Sequence, residues 1–342
     1  MGSGETSAAG GQIFEAVAAQ LGSPLTISLL ETPAGFELNA SRVAGRVADF
    51  IKSRLQNFNP VVKLIPARRR GTAFSPDSPA VLEELLDSQM IFMGPGSPTY
   101  AIRQLQGSLT WDYVQALHRM GAAVVMASAA TIALGSVALP VYEIYKVGQD
   151  PFWSAGLDFF KSYGLSVVLM PHWNNSEGGS EVDTSRCFIG RERFDPLCSQ
   201  LPAETSVVGL DEHTGVIIDV AHQTGSVMGR GQVHILSDCR ERAFGDGEQF
   251  DLRALGPFHP LEDPQVGIGP QVWQAVVEGR LQKINALSAP LAVPVEVRRL
   301  VELRQEARQT KNWTESDRLR AEISARGWKV LDTPDGPQLE RS

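Results

Sequence analysis

Ser128, His172 and Glu212 are the residues with which this chain could perform nucleophilic chemistry. A serine hydroxyl is a weak nucleophile at neutral pH and needs an adjacent base. An imidazole supplies one, and a carboxylate can orient that imidazole. Ser128 follows the apolar run Ala122-Ala-Val-Val-Met126 and precedes the small-residue helical pattern Ala129-Ala-Thr-Ile-Ala-Leu. Strand, sharp turn and helix in that order make a nucleophile elbow, which exposes a hydroxyl beside helix amides able to hold an oxyanion. His172 ends another apolar run 44 residues later, and Glu212 sits in Leu210-Asp-Glu-His-Thr. Gly96 and Ala129 are the candidate oxyanion-hole donors, while Ser97, Arg186 and Arg193 are candidates for binding substrate. Arginines suit that role because a guanidinium can clamp a carboxylate with two parallel bonds. Plainer roles compete: Ser128 as a helix cap, His172 packed beside Trp173, Glu212 stabilising a turn, and the arginines as salt-bridged surface residues.

These residues need a scaffold, and the apolar runs supply one. Leu25–Leu30, Val61–Ile65, Met90–Met93, Ala122–Met126 and Leu165–Met170 are each followed by a loop, and helical patterns over 41–55 and 79–87 alternate with them. This alternation predicts an α/β fold, a mostly parallel sheet flanked by helices, with ligands at the C-terminal strand ends. Val207–Ile218 reads as an edge hairpin about a Thr-Gly turn. The chain from 245 to 294 reads as a Gly/Pro-rich connection with a short helix, separating a domain over 1–244 from a charged αα-hairpin over 295–342. That last piece carries nine Lys or Arg against six acids over 296–329, on a chain with 31 basic and 39 acidic residues and a formal charge of −8. A globally basic nucleic-acid coat is thereby excluded.

The 43% hydrophobic content suits a sizeable core. Cys187, Cys198 and Cys239 cannot all pair, and no Cys/His ligand spacing occurs, so neither a disulfide scaffold nor a metal site is expected. No run of 18 apolar residues and no basic-then-apolar leader is present, so the expected protein is cytoplasmic and has no membrane partner.

From Gly2 to about Leu236 the chain resembles the cyanophycinase and peptidase E family of serine peptidases. The segments carrying the likeness are Gly94-Pro-Gly-Ser-Pro-Thr-Tyr100, Met126-Ala-Ser-Ala-Ala130, Pro171-His-Trp-Asn-Asn175 with 186–193, and Gly209-Leu-Asp-Glu-His-Thr-Gly215. The resemblance implies a flavodoxin-like, class I glutamine-amidotransferase-like fold, Ser128 as nucleophile and His172 as base, with no cofactor. It places the acidic third member at Glu212, preferred here, or about fifteen residues after the serine at Glu143. Met126 and Ala130 stand where the family elbow has glycines, and displacing the hydroxyl by about 1 Å costs about a hundredfold in rate. The substrate loop also departs from the family pattern, so specificity does not carry over. Gly2-Ser-Gly-Glu-Thr looks like a loop that follows a first strand, so either that strand is absent or the true start lies upstream of Met1.

The segment from Leu303 to Gly336 resembles the C-terminal helical segment of cysteinyl-tRNA synthetases, through Arg304-Gln-Glu-Ala-Arg308, Ser316-Asp-Arg-Leu-Arg320 and Asp332-Thr-Pro-Asp-Gly336. This implies a small module that contacts tRNA or a protein. Two functions therefore stand against each other. One is a serine-type peptidase or amide hydrolase acting on a peptide or amide with an acidic or otherwise polar side chain near the scissile bond. The other is a catalytically weak amidotransferase-like scaffold that binds tRNA or a protein through 295–342. A homodimer is compatible with either.

Overall fold

The apolar runs form strands in the computed structural model, which describes residues 1–237, 240–288, 293–333 and 336–341. Cys239 and the Pro334-Asp335 pair lie outside those residues. The first half of the chain alternates helix and strand: α1 (Ala8–Leu21), β1 (Leu25–Leu30), α2 (Ala40–Arg54), β2 (Pro60–Ile65), α3 (Pro79–Leu85), β3 (Met90–Met93), α4 (Pro98–Leu105), α5 (Leu109–Arg119), β4 (Ala123–Met126) and α6 (Ala129–Ala133). The strands make a parallel sheet ordered β2-β1-β3-β4. Alternate side chains point to opposite faces. Ile27, Leu29, Phe92 and Val125 pack in one core cluster with α1 and α2, and Leu30, Ile91, Met93 and Met126 pack in the other with α3, α4 and α5. Burial on both faces is why these strands read as continuous apolar runs. Ser7, Ser97 and Ser108 cap α1, α4 and α5, each hydroxyl accepting from an amide three residues on.

The chain continues through β5 (Val137–Ala138), α7 (Val141–Tyr145), β6 (Ser154–Ala155), β7 (Ser166–Met170), α8 (Arg191–Cys198), β8 (Thr205–Leu210), β9 (Thr214–Asp219), β10 (Thr224–Gly229), β11 (Val233–Ser237), β12 (Arg240–Phe244) and β13 (Gln249–Asp251). One sheet has the order β12-β11-β8-β7, with β7 and β8 parallel; another has β13-β10-β9. The expected 207–218 hairpin does not form, because β8 and β9 belong to different sheets. The Asp211 amide still bonds to Gln232 O in line with the β8–β11 ladder, and then His213, at φ +57°, turns the chain so that Thr214 pairs with Gly229. Thr214-Gly215 opens a strand where a turn is expected.

Two compact units result, Met1–Ile284 and Asn285–Ser342. Residues 245–284, expected to be a connection, lie within the first unit. There β13 pairs with β10, and the 19-residue α9 (Pro270–Ser288) sends the Arg280 guanidinium onto the carbonyls of Leu86 and Ser88. The second unit holds the helical hairpin α10 (Val295–Gln309) and α11 (Trp313–Ala325), followed by a β-hairpin where only helices are expected, β14 (Trp328–Thr333) and β15 (Gly336–Arg341). Val297, Val301, Ile323, Trp328 and Val330 form its core. Arg304, 1% exposed, forks onto both Asp332 oxygens at 2.8 and 2.9 Å. No helix among the described residues is long and apolar enough to cross a membrane.

Candidate active site

Ser128 lies between the end of β4 and the first residue of α6, at φ +52° and ψ −117°. A non-glycine residue there costs about 1–3 kcal/mol, a strain that persists only where surrounding bonds enforce it. Here the Ser128 amide donates to Met1 O at 3.3 Å, and the Ala130 amide donates to Gly94 O and Ala127 O. His172 is separated from the end of β7 by Pro171 alone and is also left-handed, at φ +52°. Its carbonyl is fixed by the Cys187 amide at 3.1 Å, within the run Arg186-Cys187-Phe188, where three successive residues have positive φ.

The side chains of these two residues meet, with Ser128 Oγ 3.0 Å from His172 Nε2. On the other side of the ring, His172 Nδ1 lies 2.8 Å from Glu212 Oε1. A carboxylate can only accept, so Nδ1 carries the proton and Nε2 is left as an acceptor for the hydroxyl. The Met126 and Ala130 side chains, buried in the core, leave that bond intact. Asn175 Nδ2 donates to the same Glu212 oxygen at 2.9 Å, and Asn174 Oδ1 accepts from the Glu212 amide at 2.8 Å. Burial opposes the Glu212 charge, but the bonds from His172 and Asn175 together outweigh it and hold its pKa below the ordinary carboxylate value. The two asparagines are a contribution that the sequence reading missed. Their only signal is a pair of amides separated from the strand-end histidine by Trp173.

Glu143, the alternative acidic residue, is turned elsewhere: its Oε1 accepts from Thr99 Oγ1 at 2.7 Å, and Thr99 in turn meets Ser97 Oγ at 3.0 Å. Ala129 opens α6, so its amide has no acceptor within the helix. Gly96 sits at φ +148°, where a Cβ would lie 2.1 Å from Pro33 O, so no other residue fits this close approach. Arg186 is not free to reach a substrate. It is buried, and its guanidinium stacks 3.7 Å over the Trp173 ring. Trp173 itself presses on β8, where a Cβ at Gly209 would lie 2.3 Å from the indole. Arg193 is exposed on α8.

A cleft of about 1020 Å³ opens beside the loop that carries Ser97, walled by Arg69, Arg70, Arg103, Tyr142 and Glu143, but neither Ser128 nor His172 lines it. Arg69 and Arg70 stand out in the sequence as part of a basic loop after the second strand, whereas Arg103, on α4, carries no such signal.

No family model matches the chain. The crystal structure of a peptidase from an acI-B1 Actinobacterium superposes with a TM-score of 0.58 at 19% identity, covering 73% of this chain and 94% of that one, which shows a shared fold. The C-terminal segment is similar to cysteine–tRNA ligases. It is 50% identical over 50 residues to that of Caldicellulosiruptor saccharolyticus, and 43% identical over 67 residues to that of Chlamydia abortus. These stretches are 15% and 18% of this chain, and the chain spans only 11% and 14% of the ligases' lengths.

Proposed function

We propose that the chain is a serine-type peptidase or amide hydrolase in which Ser128 is the nucleophile, His172 the base and Glu212 the residue that orients the base. The observation that carries this reading is the continuous Ser128–His172–Glu212 relay, at 3.0 and 2.8 Å. Ser128 Oγ attacks the carbonyl carbon as its proton passes to His172 Nε2, and Glu212 remains ionised against the imidazolium. The oxyanion is held by the Ala129 amide with Gly96 as second donor. Nε2 then returns the proton to the departing amine, leaving an acyl-serine. Water, deprotonated by the same nitrogen, releases the acid. The arginine-walled cleft, which reaches the reaction site only through the Gly96-Ser97 loop, favours a substrate that carries an acidic or otherwise polar group.

A fluorophosphonate probe tests the reading without knowledge of the substrate. Labelling of the folded protein, lost in Ser128→Ala and in His172→Ala, is the expected result. Wild-type protein that stays unlabelled, while hydrolysing no member of a dipeptide library, would count against it.

A second reading concerns the C-terminal unit, whose similarity to the ligase segment favours contact with tRNA or a protein. Binding of tRNA that weakens steeply with salt and disappears when 285–342 is deleted would support it.

A further inference from the structure

The Glu143 side chain makes one hydrogen bond among the described residues, to Thr99, and its second oxygen is buried without a partner. A carboxylate only accepts, so Thr99 Oγ1 gives its single proton to Glu143 at 2.7 Å. In the contact between Thr99 Oγ1 and Ser97 Oγ, at 3.0 Å, Ser97 must then be the donor. Its lone pairs remain to accept from the Tyr100 amide at 3.2 Å, the cap of α4. One carboxylate fixes the direction of every bond in a chain that runs from α7 to the first turn of α4. Although α7 has only five residues, Val141 and Ile144 bury it in the core, so Glu143 stands on an anchored turn.

The far end of that chain is the loop of residues 94–97, which joins β3 to α4. The Gly96 amide donates to no group among the described residues, which leaves it available to an oxyanion. Its neighbours are held: the Ser97 amide donates to Pro33 O at 2.9 Å, and Gly94 O accepts from the Ala130 amide at 3.3 Å. Neither of these bonds fixes the Ser97 side chain. The bond to Thr99 does, and Glu143 fixes Thr99.

We propose that Glu143 is a positioning residue for the oxyanion hole, acting through Thr99 and Ser97 to hold the Gly96 amide in place. This role rests on the hydrolase reading above, in which Gly96 is the second donor. It is separate from that of Glu212, which orients the base. A donor stabilises an oxyanion only from about 2.7–3.1 Å, and a glycine flanked by a loosened serine drifts easily from such a place. With its one proton directed at Thr99, Ser97 has none to offer a substrate. The two carboxylates should also differ in their pH behaviour. Disturbing the base moves the pH midpoint of the reaction, whereas disturbing the hole lowers the rate at every pH.

The test is the second-order rate of fluorophosphonate labelling, followed from acid to alkaline pH. The reagent's phosphoryl oxygen occupies the oxyanion position as the Ser128 Oγ–P bond forms and fluoride leaves, so the rate reports on the hole. Glu143→Leu and Thr99→Val are each expected to lower the plateau at least roughly tenfold, short of the roughly 10²–10³ lost when a donor is removed outright, with the midpoint unmoved. Thr99→Ser, which restores the hydroxyl, should recover most of that loss. The double variant should lose no more than the worse single one, because both break the same chain. A shifted midpoint in Glu143→Leu, wild-type rates in both single variants, or losses that multiply in the double variant would overturn the proposal. Should Glu143→Leu fail to fold, the Thr99 variants decide alone: no loss with valine, or no recovery with serine, overturns it. Wild type that takes no label defeats the hydrolase reading itself, whereas labelled wild type with any of the overturning results defeats only the role of Glu143.

Discussion

Ser128 and His172 share a backbone signature: both are non-glycine residues at φ +52°, each stands two residues beyond the last residue of a strand, and their side chains meet at 3.0 Å. Two strained turns are thus spent on aiming one hydroxyl at one imidazole.

That strain predicts the effect of Ser128→Gly. Glycine adopts positive φ freely but loses more entropy on folding, so relief of about 1–3 kcal/mol is set against a cost of about 0.5–1 kcal/mol. The variant is expected to melt no lower than wild type while losing all fluorophosphonate labelling. A thermal scan run beside the labelling gel checks both.

Glu212→Gln is expected to keep the fold and lose roughly 10²–10⁴ in labelling rate, because a glutamine can present its amide to Nδ1 and so favour the wrong tautomer. The carboxylate's lowered pKa also has a stability consequence. A group whose folded pKa is depressed contributes stability above its unfolded value of 4.5, and loses it as pH falls through the folded value. Urea titrations between pH 6 and 3 should show wild type losing stability over that descent by a margin that Glu212→Gln lacks.

The Met1 amine acts in the same direction over a higher pH window. Its folded pKa, about 5, lies below the 8.0 of an exposed terminus, so between those values the unfolded chain holds a proton that the folded chain does not. Stability should therefore rise from pH 5 to pH 8, by on the order of 4 kcal/mol from this group. Nα-acetylation removes the ionisation from both states, and the difference in unfolding free energy between the two chains across that range measures the effect.

In the C-terminal unit, Asp332→Ala leaves the Arg304 guanidinium buried without its fork. Asp332 is itself half exposed, which limits the cost to roughly 1–3 kcal/mol. Amide exchange within α10 and α11 should quicken accordingly, and a variant with unchanged exchange would show the pair to be energetically idle.

Much of this architecture is legible in the residues. The parallel strands announce themselves as apolar runs because helices cover both faces, and a serine or histidine directly after such a run is placed at a sheet's functional edge by topology alone. What was misread turns on single backbone positions. Nothing in Asp211-Glu212-His213 says that a left-handed His213 will send β9 into another sheet, and nothing in Arg186-Cys187-Phe188 says that three positive φ values will fold the guanidinium onto Trp173. Turns set by tertiary hydrogen bonds leave no periodicity to read. The β14–β15 hairpin is signalled only by the short Trp328-Lys-Val330 alternation and the Thr333-Pro-Asp-Gly336 turn sequence, too brief to stand out behind two helical patterns.

The indole of Trp173 has its own consequence. It is wedged between the Arg186 guanidinium and strand β8, where the absence of a side chain at Gly209 makes room for it. Any side chain gained at 209 would have to be matched by a smaller ring at 173, which in turn strips the platform from 186. These three positions, far apart along the chain, are free to drift only in concert, and a substitution at one should be tolerated only on a background already changed at another.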